Sequence, residues 1–290
     1  MHLTNFGLLV KELRKNCYDC YGNKWTRESL SREIHLTPDQ LGRLERGNRK
    51  YLDAQTLHLL AKAFNLTDLE RKEFFYASTG LDDYELYNNQ EPDEQLVNLI
   101  YTIQNLQFPA YIIDVYADII AANKALLNLY QTTPEVIESL SQHPVGLNLV
   151  GFAYSSDLFK ELLGSRWRKS AVMLLLEFRR STLRYRHTEY FKFIFKNLLT
   201  EKNFDIDWYS SHRHEEHFDL TYEHIEYEHP LFGYLSYVAT ETIINTKAGA
   251  LFLVNYNPAD SDTLSIFNKL ISNHGHKIHN LGSWPEKVII

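Results

Sequence analysis

The first 78 residues place apolar positions at helical spacing, with short polar turns between them. The pattern predicts five short helices. Thr37 and Pro38 begin the third helix, because threonine is a favoured N-cap and proline suits the first helical position. Gly47 ends that helix as a C-terminal glycine. Further helices are predicted at about residues 53–64 and 67–78, so we expect the front of the chain to be an all-α bundle.

The rest of the chain mixes β-rich and helical patterns. Residues 109–116 and 118–123 predict a hairpin, because two β-rich runs are joined across a short turn. A mostly helical region follows, and further strands are predicted at residues 218–227, 232–242 and 250–256. This order of two strands, a helical insertion and three strands is that of a PAS-like sensor domain. We therefore expect an α+β chain whose second domain contains an antiparallel five-stranded sheet with a helical insertion.

Residues 79–94 lose hydrophobic periodicity and are rich in Asp, Asn and Glu, which indicates an acidic linker. The linker separates a helical domain at residues 1–78 from a second domain at residues 95–272. Residues 273–290 are predicted to be a C-terminal tail.

The composition excludes several classes of protein. Hydrophobic residues make up 44% of the 290 residues and charged residues 23%, which is typical of a globular chain. No apolar run approaches the about 20 residues that cross a bilayer, and the N-terminus lacks the features of a signal peptide. Two cysteines cannot form a disulfide framework, so a reducing cytoplasm is the expected location.

The net charge of -7 is divided unevenly along the chain. Residues 1–80 carry 13 Lys and Arg against 10 Asp and Glu, a net charge of +3. Residues 81–290 carry 17 against 27, a net charge of -10. We therefore expect the two parts to have different partners, and the front part to be the one that meets nucleic acid.

A helix-turn-helix pattern lies within the front bundle. Two short helices joined by a tight turn form a unit whose second helix fits the DNA major groove. The residues that carry the pattern are Leu30-x-x-x-Ile34-x-Leu36-Thr37-x-x-x-Leu41-x-x-Leu44-Glu45-Arg46-Gly47, followed by Leu57-x-x-Leu60-Ala61-x-Ala63-Phe64-x-Leu66. They resemble the lambda-repressor-like, Xre-type helix-turn-helix family, which implies sequence-specific binding to double-stranded DNA. Gly42 is a departure inside the recognition helix, where glycine costs about 1 kcal/mol relative to alanine.

The predicted DNA contacts surround this recognition helix. Arg43 could read a guanine edge, and Asp39, one turn away, could accept from cytosine or orient Arg43. The full predicted set is Arg27, Thr37, Pro38, Asp39, Arg43, Asn48, Arg49 and Lys50, of which Arg27 and the last three would hold phosphates. The alternative is that these residues are solvated charges on a helical bundle.

One small head buries little surface, so we expect a homodimer on a two-fold site.

The second domain carries motifs of its own. They are Pro109-Ala110-Tyr111-Ile112-Ile113-Asp114 with Asp118-Ile119-Ile120-Ala121-Ala122-Asn123, Asn148-Leu149-Val150 with Phe152, the long Trp167 helix, Phe204-x-x-x-Trp208, and His229-Pro230-Leu231-x-Gly233-x-Leu235. These segments resemble the MmyB-like ligand-binding domain, and together with the front helices the resemblance covers about residues 1–270. It implies a bacterial transcription regulator whose DNA-binding head is joined to a domain that binds a small molecule. The family usually has Trp where Ala122 stands, which leaves room there.

Bulky apolar side chains are the expected lining of the ligand pocket, which favours an apolar guest such as a fatty acid. The predicted lining residues are Phe152, Phe178, Phe191, Phe195, Phe204 and Trp208. Arg184 or His212 could meet a carboxylate head group. The alternative is that the aromatic residues fill a solid core, in which case the second domain is a ligand-free dimerisation module.

Histidine spacing points to a different class of function. His212, His214 and His217 have the H-x-H-x-x-H spacing of some dinuclear metallohydrolases, so a metal-dependent hydrolase or metal sensor stays open as an alternative. No partner ligands or βαβ framework accompany the run, and the sequence has no G-x-S-x-G or H-E-x-x-H motif. We therefore expect a regulator that is not an enzyme and that needs no metal or cofactor.

Overall fold

The structure is a computed structural model, and it describes residues 4–48, 52–80, 91–214, 224–246, 248–272 and 278–287. The chain divides into two compact units. The head unit comprises Met1–Asp83, Arg179–Phe193 and Tyr209–His217. The sheet unit comprises Tyr84–Phe178, Ile194–Trp208 and Phe218–Ile290. Segments from the middle of the chain therefore fold with the N-terminal helices.

The head unit begins with helices α1 (Thr4–Asn16), α2 (Arg27–Glu33), α3 (Pro38–Glu45), α4 (Ala54–Ala63) and α5 (Asp68–Thr79). A threonine immediately precedes three of these helices and caps them. The hydroxyls of Thr26, Thr37 and Thr67 each accept a hydrogen bond from a backbone N–H in the first turn, and a side chain from that turn bonds back to the threonine. Local sequence therefore sets where these helices begin.

The remaining elements follow in chain order. They are α6 (Pro92–Asn105), β1 (Ala110–Asp114), β2 (Ile119–Asn123), α7 (Lys124–Leu129), α8 (Pro134–Ser141), α9 (Leu149–Ser155), α10 (Asp157–Leu163), a 3-10 turn (Gly164–Arg166), α11 (Trp167–Thr182), a second 3-10 turn (Leu183–Tyr185), α12 (Glu189–Leu198), α13 (Phe204–His214), β3 (His224–His229), β4 (Gly233–Thr246), β5 (Gly249–Pro258), α14 (Ser261–Ser272) and β6 (Ile278–Asn280). Helices α11, α12 and α13 each contribute residues to both units.

The strands form one antiparallel sheet with the order β3-β4-β5-β1-β2-β6. The predicted α+β class is confirmed, and the sheet has six strands among the described residues instead of the predicted five. The additional strand, Ile278–Asn280, pairs with β2 and comes from the segment predicted as a tail. It was missed because three residues are too few to show an alternating pattern.

Strand boundaries differ from the prediction at the first strand after the helical region. The sequence predicts that strand at residues 218–227, whereas the observed strand β3 spans His224–His229. Residues 215–223 lie outside the described part of the chain.

None of the described helices has the length and apolar character that crossing a membrane requires.

Neighbouring residues of the hairpin face opposite sides of the sheet. Ile112 pairs with Ala121, and both are buried in an apolar cluster that includes Leu99 of α6. Tyr111 pairs with Ala122, and these two line a cavity. The alternation has a simple cause, because successive side chains of a strand point to opposite faces. One face of the sheet therefore packs on α6, and the other forms the wall of a site.

Two glycines of the head unit differ in what surrounds them. A Cβ atom at Gly7 of α1 would lie 2.3 Å from the carbonyl oxygen of Leu44, at the end of α3. A Cβ atom at Gly42 would lie 3.3 Å from Nη1 of Arg46, which is the far end of a flexible side chain. Gly7 therefore permits the close approach of α1 to α3, whereas no backbone atom crowds the position of a Cβ at Gly42.

The two glycines allow a matched pair of alanine substitutions. We expect Gly42→Ala to raise the free energy of unfolding by up to about 1 kcal/mol, since alanine is the better helix former. Gly7→Ala should lower it by about 1–3 kcal/mol, because the clash is with backbone and the helices must move apart. Urea unfolding of the full chain measures both changes. Equal effects of the two substitutions would contradict this assignment.

Candidate DNA-binding surface and ligand cavity

The start of α3 is fixed by its own sequence. The Gln40 backbone N–H donates to the Thr37 hydroxyl at 3.2 Å, and the Thr37 backbone N–H donates to the Gln40 side chain at 2.8 Å. Pro38 occupies the first turn, where a missing N–H removes no helical bond. Leu41 and Leu44 are buried on the opposite face of this helix. The helix thus presents its polar residues to solvent from a rigid core.

The exposed face of α3 carries an ion pair. Nε of Arg43 lies 2.9 Å from Oδ2 of Asp39, and both side chains are about two-thirds exposed, at 64% and 65%. Thr37 and Pro38 are also exposed. The carboxylate of Asp39 holds the guanidinium of Arg43 on the outer side of the helix. This is the arrangement expected if Asp39 orients Arg43.

Arg27 is tied to the core of the head unit through Glu45. Nη2 of Arg27 lies 2.7 Å from Oε2 of the buried Glu45, and Arg14 contacts the other oxygen. Burial alone would raise the pKa of Glu45, but hydrogen bonds from both arginines hold it below its usual value. Arg27 keeps 41% of its side chain exposed. It is therefore positioned by the core and still reachable from solvent.

The remaining predicted DNA contacts lie just after α3. Asn48 is exposed, and its backbone N–H donates to the carbonyl of Arg43 at 2.9 Å. Arg49 and Lys50 lie outside the described residues. The phosphate-binding role of these three residues stays a prediction.

A buried ion-pair cluster holds the head unit together. The carboxylate of Glu70, in α5, is fully buried and accepts from Nη2 of Arg179 at 2.7 Å and from Nε at 3.1 Å. Arg186 also donates to this carboxylate, and the Thr67 backbone N–H donates at 2.9 Å. Burial by itself would raise the pKa of Glu70, but the two arginines outweigh it and lower the pKa to about 2.

The sequence contains a local signal for only one half of this cluster. Thr67-x-x-Glu70 is a capping-box pattern, so the position of Glu70 at the start of α5 was predictable. Nothing local indicates that Arg179 and Arg186 are its partners, since they are 109 and 116 residues away in the chain. Leu183, between the two arginines, is buried in the same apolar core as the N-terminal helices.

The sheet unit contains an apolar cavity of about 120 Å³. Its wall combines strand residues from β1, β2, β3, β4 and β5 with residues of the helices that follow β2. The lining residues are Tyr111, Ile119, Ala122, Leu126, Leu127, Tyr130, Thr132, Ile137, Leu140, Gly146, Leu147, Leu149, Phe152, Phe159, Leu163, Ser170, Leu174, Ile225, Tyr237, Ala239, Tyr256 and Leu281. The volume is close to that of the apolar cavities of about 150 Å³ that hold benzene.

Four of the six described polar side chains that line this wall are tyrosines. The hydroxyls of Tyr130 and Tyr256 lie 2.9 Å apart. The ring of Tyr237 stacks on that of Tyr256 with centroids 4.5 Å apart, and the ring of Tyr111 meets it edge-on at 6.1 Å. Burial, followed by the neighbouring phenols, raises the pKa of Tyr256 well above its usual value. The Tyr256 phenol therefore stays uncharged at neutral pH.

The structure places the predicted lining residues in several locations. Phe152 lines the cavity. Another part of the sheet unit holds an aromatic cluster in which Trp208 contacts Phe195, Phe204 and Phe178, with centroids 4.7, 5.9 and 6.1 Å away. Helical spacing marked these residues as inward-facing but does not distinguish packing from pocket lining. Every second residue of a strand faces the same side of the sheet, and this alternation is the sequence signal that could have identified Tyr111 and Ala122 as lining residues.

The other predicted ligand contacts belong to the head unit. Nε of Arg184 lies 3.2 Å from Oε2 of Glu73, and its guanidinium lies over the ring of Tyr76 at 4.6 Å. Phe191 is buried in the first turns of α12. His212 lies in α13, and its side chain is outside the described part of the structure. Their role toward a ligand stays a prediction.

The C-terminal segment completes the cavity wall. Leu281 lines the cavity, and its backbone N–H donates to the carbonyl of Ile120 at 2.8 Å. Gly282 follows, where a Cβ atom would lie 2.7 Å from the carbonyl oxygen of Ile119. Nζ of Lys287 lies 2.8 Å from Oδ2 of Asp118 and also contacts Asp114. Strand pairing, close backbone approach and an ion pair thus hold this segment against β2.

The histidine run was the basis of the metal alternative. Within the described ranges, no group of three or more His, Cys, Asp or Glu is placed to hold a metal ion. His212 and His214 belong to α13, and His217 lies outside those ranges.

Two family models match the chain. The model described as the MmyB-like transcription regulator ligand binding domain matches residues 98–270, and a helix-turn-helix model matches residues 22–71. Both resemblances drawn from the sequence are thereby confirmed. A comparison with curated proteins gives no match. The longer family match includes Arg179–Phe193, which the structure places in the head unit.

The buried cluster gives a stability prediction with a defined pH dependence. We expect Glu70→Gln to lower the free energy of unfolding by about 3–5 kcal/mol, because two buried arginines lose their charge partner. Glu73→Gln is the matched control, since Glu73 pairs at a partly exposed site and should cost less than about 1 kcal/mol.

The pKa of Glu70 is lowered in the folded state, so its contribution is present above its unfolded pKa and is lost as pH falls toward about 2. Urea unfolding between about pH 5 and pH 2 should therefore show a smaller loss of stability with acid in Glu70→Gln than in the parent chain. Identical acid profiles would contradict the assignment.

Proposed function

Since the chain belongs to the family of the MmyB-like transcription regulator ligand-binding domain and carries a helix-turn-helix region, it is a ligand-responsive DNA-binding transcription regulator, and we propose its finer properties. It binds a specific operator as a homodimer, responds to a small apolar molecule and acts without enzymatic chemistry in the cytoplasm. The apolar cavity of the sheet unit is the observation that carries the ligand part of this proposal.

The exposed face of α3 is the proposed reading surface for DNA. Arg43 projects from it and is held by Asp39, and a guanidinium can donate two parallel hydrogen bonds to a guanine edge. Arg27 and the residues after the helix bind phosphates and set the position of the helix in the groove. The modest positive charge of the front region supports a dimer, because few phosphate contacts are available to each head.

An acyl chain or an aromatic ring matches the wall of the cavity, which is built mainly of Leu, Ile, Phe and Tyr. A fatty acid is the candidate that the sequence suggests, and a cavity of about 120 Å³ accommodates a short chain or one end of a longer one. The chain order of two strands, helices and three strands supports a PAS-like interpretation of this domain.

Helix α11 is the proposed route from the ligand to the head unit. Ser170 and Leu174 of this helix line the cavity, and Arg179 of the same helix pairs with Glu70. A ligand that binds unequally to two positions of α11 shifts the population between them. The same shift changes how the helix end supports the head unit, and this couples ligand occupancy to DNA affinity.

The ligand-free dimerisation module is the rival within the same class of protein. A module of that kind needs no cavity, and its aromatic residues pack as core. The aromatic cluster around Trp208 has this character, whereas the cavity next to Ala122 does not. The metal-dependent alternative has no cluster of ligands within the described ranges to support it.

Arg43→Ala tests the DNA proposal. We expect the variant to lose discrimination between operator and random DNA, because the base-reading guanidinium is gone. Arg71→Ala is the matched control, since Arg71 forms a similar exposed ion pair with Asp68 on α5 of the same unit. Competition binding against random duplex measures the ratio. Unchanged discrimination in Arg43→Ala would contradict the proposed reading surface.

Ala122→Trp tests the ligand proposal, because Ala122 lines the cavity and an indole ring there would occupy the space of a ligand. We expect the purified parent chain to release a small apolar molecule on organic extraction, and native mass spectrometry to show its mass. Ala122→Trp should carry none. Ala259→Trp, at an exposed position after β5, is the control and should retain it. A parent chain without any bound molecule would favour the ligand-free module.

A further inference from the structure

The cavity offers a ligand hydroxyl groups and no charge. Within the described ranges, none of the residues that line it is an Asp, Glu, Lys, Arg or His. Its polar side chains are those of Tyr111, Tyr130, Tyr237, Tyr256, with Thr132 and Ser170. Arg184 is the cation predicted from the sequence to meet a carboxylate head group. It belongs to the head unit and pairs there with Glu73.

The hydroxyls of Tyr130 and Tyr256 are held in place by packing. Tyr256 is buried in β5, between the stacked ring of Tyr237 and the edge-on ring of Tyr111. Tyr130 stacks on Phe159, and its hydroxyl lies 2.9 Å from that of Tyr256. Packing thus places these two phenol hydroxyls next to each other in a mainly apolar wall.

Phenol hydroxyls discriminate between charged and uncharged ligands. Each can donate one hydrogen bond and accept others, so the pair suits an alcohol, a carbonyl or a protonated acid. A carboxylate in the same place would lose its hydration without meeting a cation, which is unfavourable in apolar surroundings. Burial also raises the pKa of Tyr256, so this residue offers the ligand a neutral hydroxyl group.

We propose that the cavity selects a ligand whose buried polar end is uncharged, and that Tyr130 and Tyr256 bind this end. The inference rests on the proposed ligand-binding function and specifies its chemistry. A fatty acid then binds as the protonated acid, and the matching alcohol binds better at neutral or higher pH. Tyr256 and Tyr130 are the residues that set this specificity.

Hexanol and hexanoate are suitable probes, because they share a chain short enough for a cavity of about 120 Å³. Isothermal titration of the full chain at about pH 8.5 should show hexanol binding at least about tenfold more tightly than hexanoate. Lowering the pH to about 7.5 should raise the hexanoate affinity about tenfold, because the protonated fraction rises tenfold. The hexanol affinity should stay the same.

Removal of one hydroxyl tests the assignment to the tyrosines. Tyr256→Phe and Tyr130→Phe should each weaken hexanol binding about fivefold to tenfold, since a buried hydrogen bond is lost. Tyr101→Phe is the matched control, because that side chain is 67% exposed on α6 and should leave the affinity unchanged. Two different tyrosine variants guard against a folding defect in either.

The outcomes separate this inference from the proposed function. Hexanoate that binds as tightly as hexanol at about pH 8.5, with an affinity independent of pH, would overturn the inference and leave the ligand-binding function in place. Unchanged hexanol binding in both tyrosine variants would likewise overturn it. If neither probe binds the parent chain, the ligand-binding function itself fails and the inference falls with it.

Discussion

The buried carboxylate of Glu70 is the interaction on which the head unit depends. It joins α5 to Arg179 and Arg186, which follow it by more than a hundred residues in the chain. A carboxylate and two guanidinium groups are tolerated away from water only when they satisfy one another, so these segments must be present together in the folded unit. The DNA-binding head is consequently more than its five N-terminal helices, because residues 179–193 complete its core.

This arrangement gives the regulator a physical basis for response. The segment that completes the head unit lies inside the range matched by the ligand-binding family, and α11 carries both cavity-lining residues and Arg179. A sensor and a DNA reader joined only by a flexible linker can influence each other weakly, through effective concentration. Under the proposed function, a ligand that distinguishes two states of α11 also acts on the helix that carries Arg179.

The cavity depends on the alternation of side chains in the sheet. In β1 and β2, Ile112 and Ala121 pack toward α6, whereas Tyr111 and Ala122 face the cavity. A small residue at position 122 leaves space that a larger one would occupy. The closing segment around Leu281 lies after the last residue that the family model matches. The shape of the ligand site therefore depends on the register of β1 and β2, and on the three-residue strand β6 that leads into Leu281.

The sequence by itself determined the features that depend on neighbours in the chain. The helix start at Thr37, the helix-turn-helix motif, the hairpin and both family assignments were predictable, because caps, turns and periodicity act over a few residues. Only the tertiary structure decided which aromatic residues pack as core and which line the cavity, and it alone paired Glu70 with its arginines. Helical spacing shows that a side chain points inward but not what it meets there. Contacts between distant segments arise from the packing of whole elements, and no local pattern encodes them.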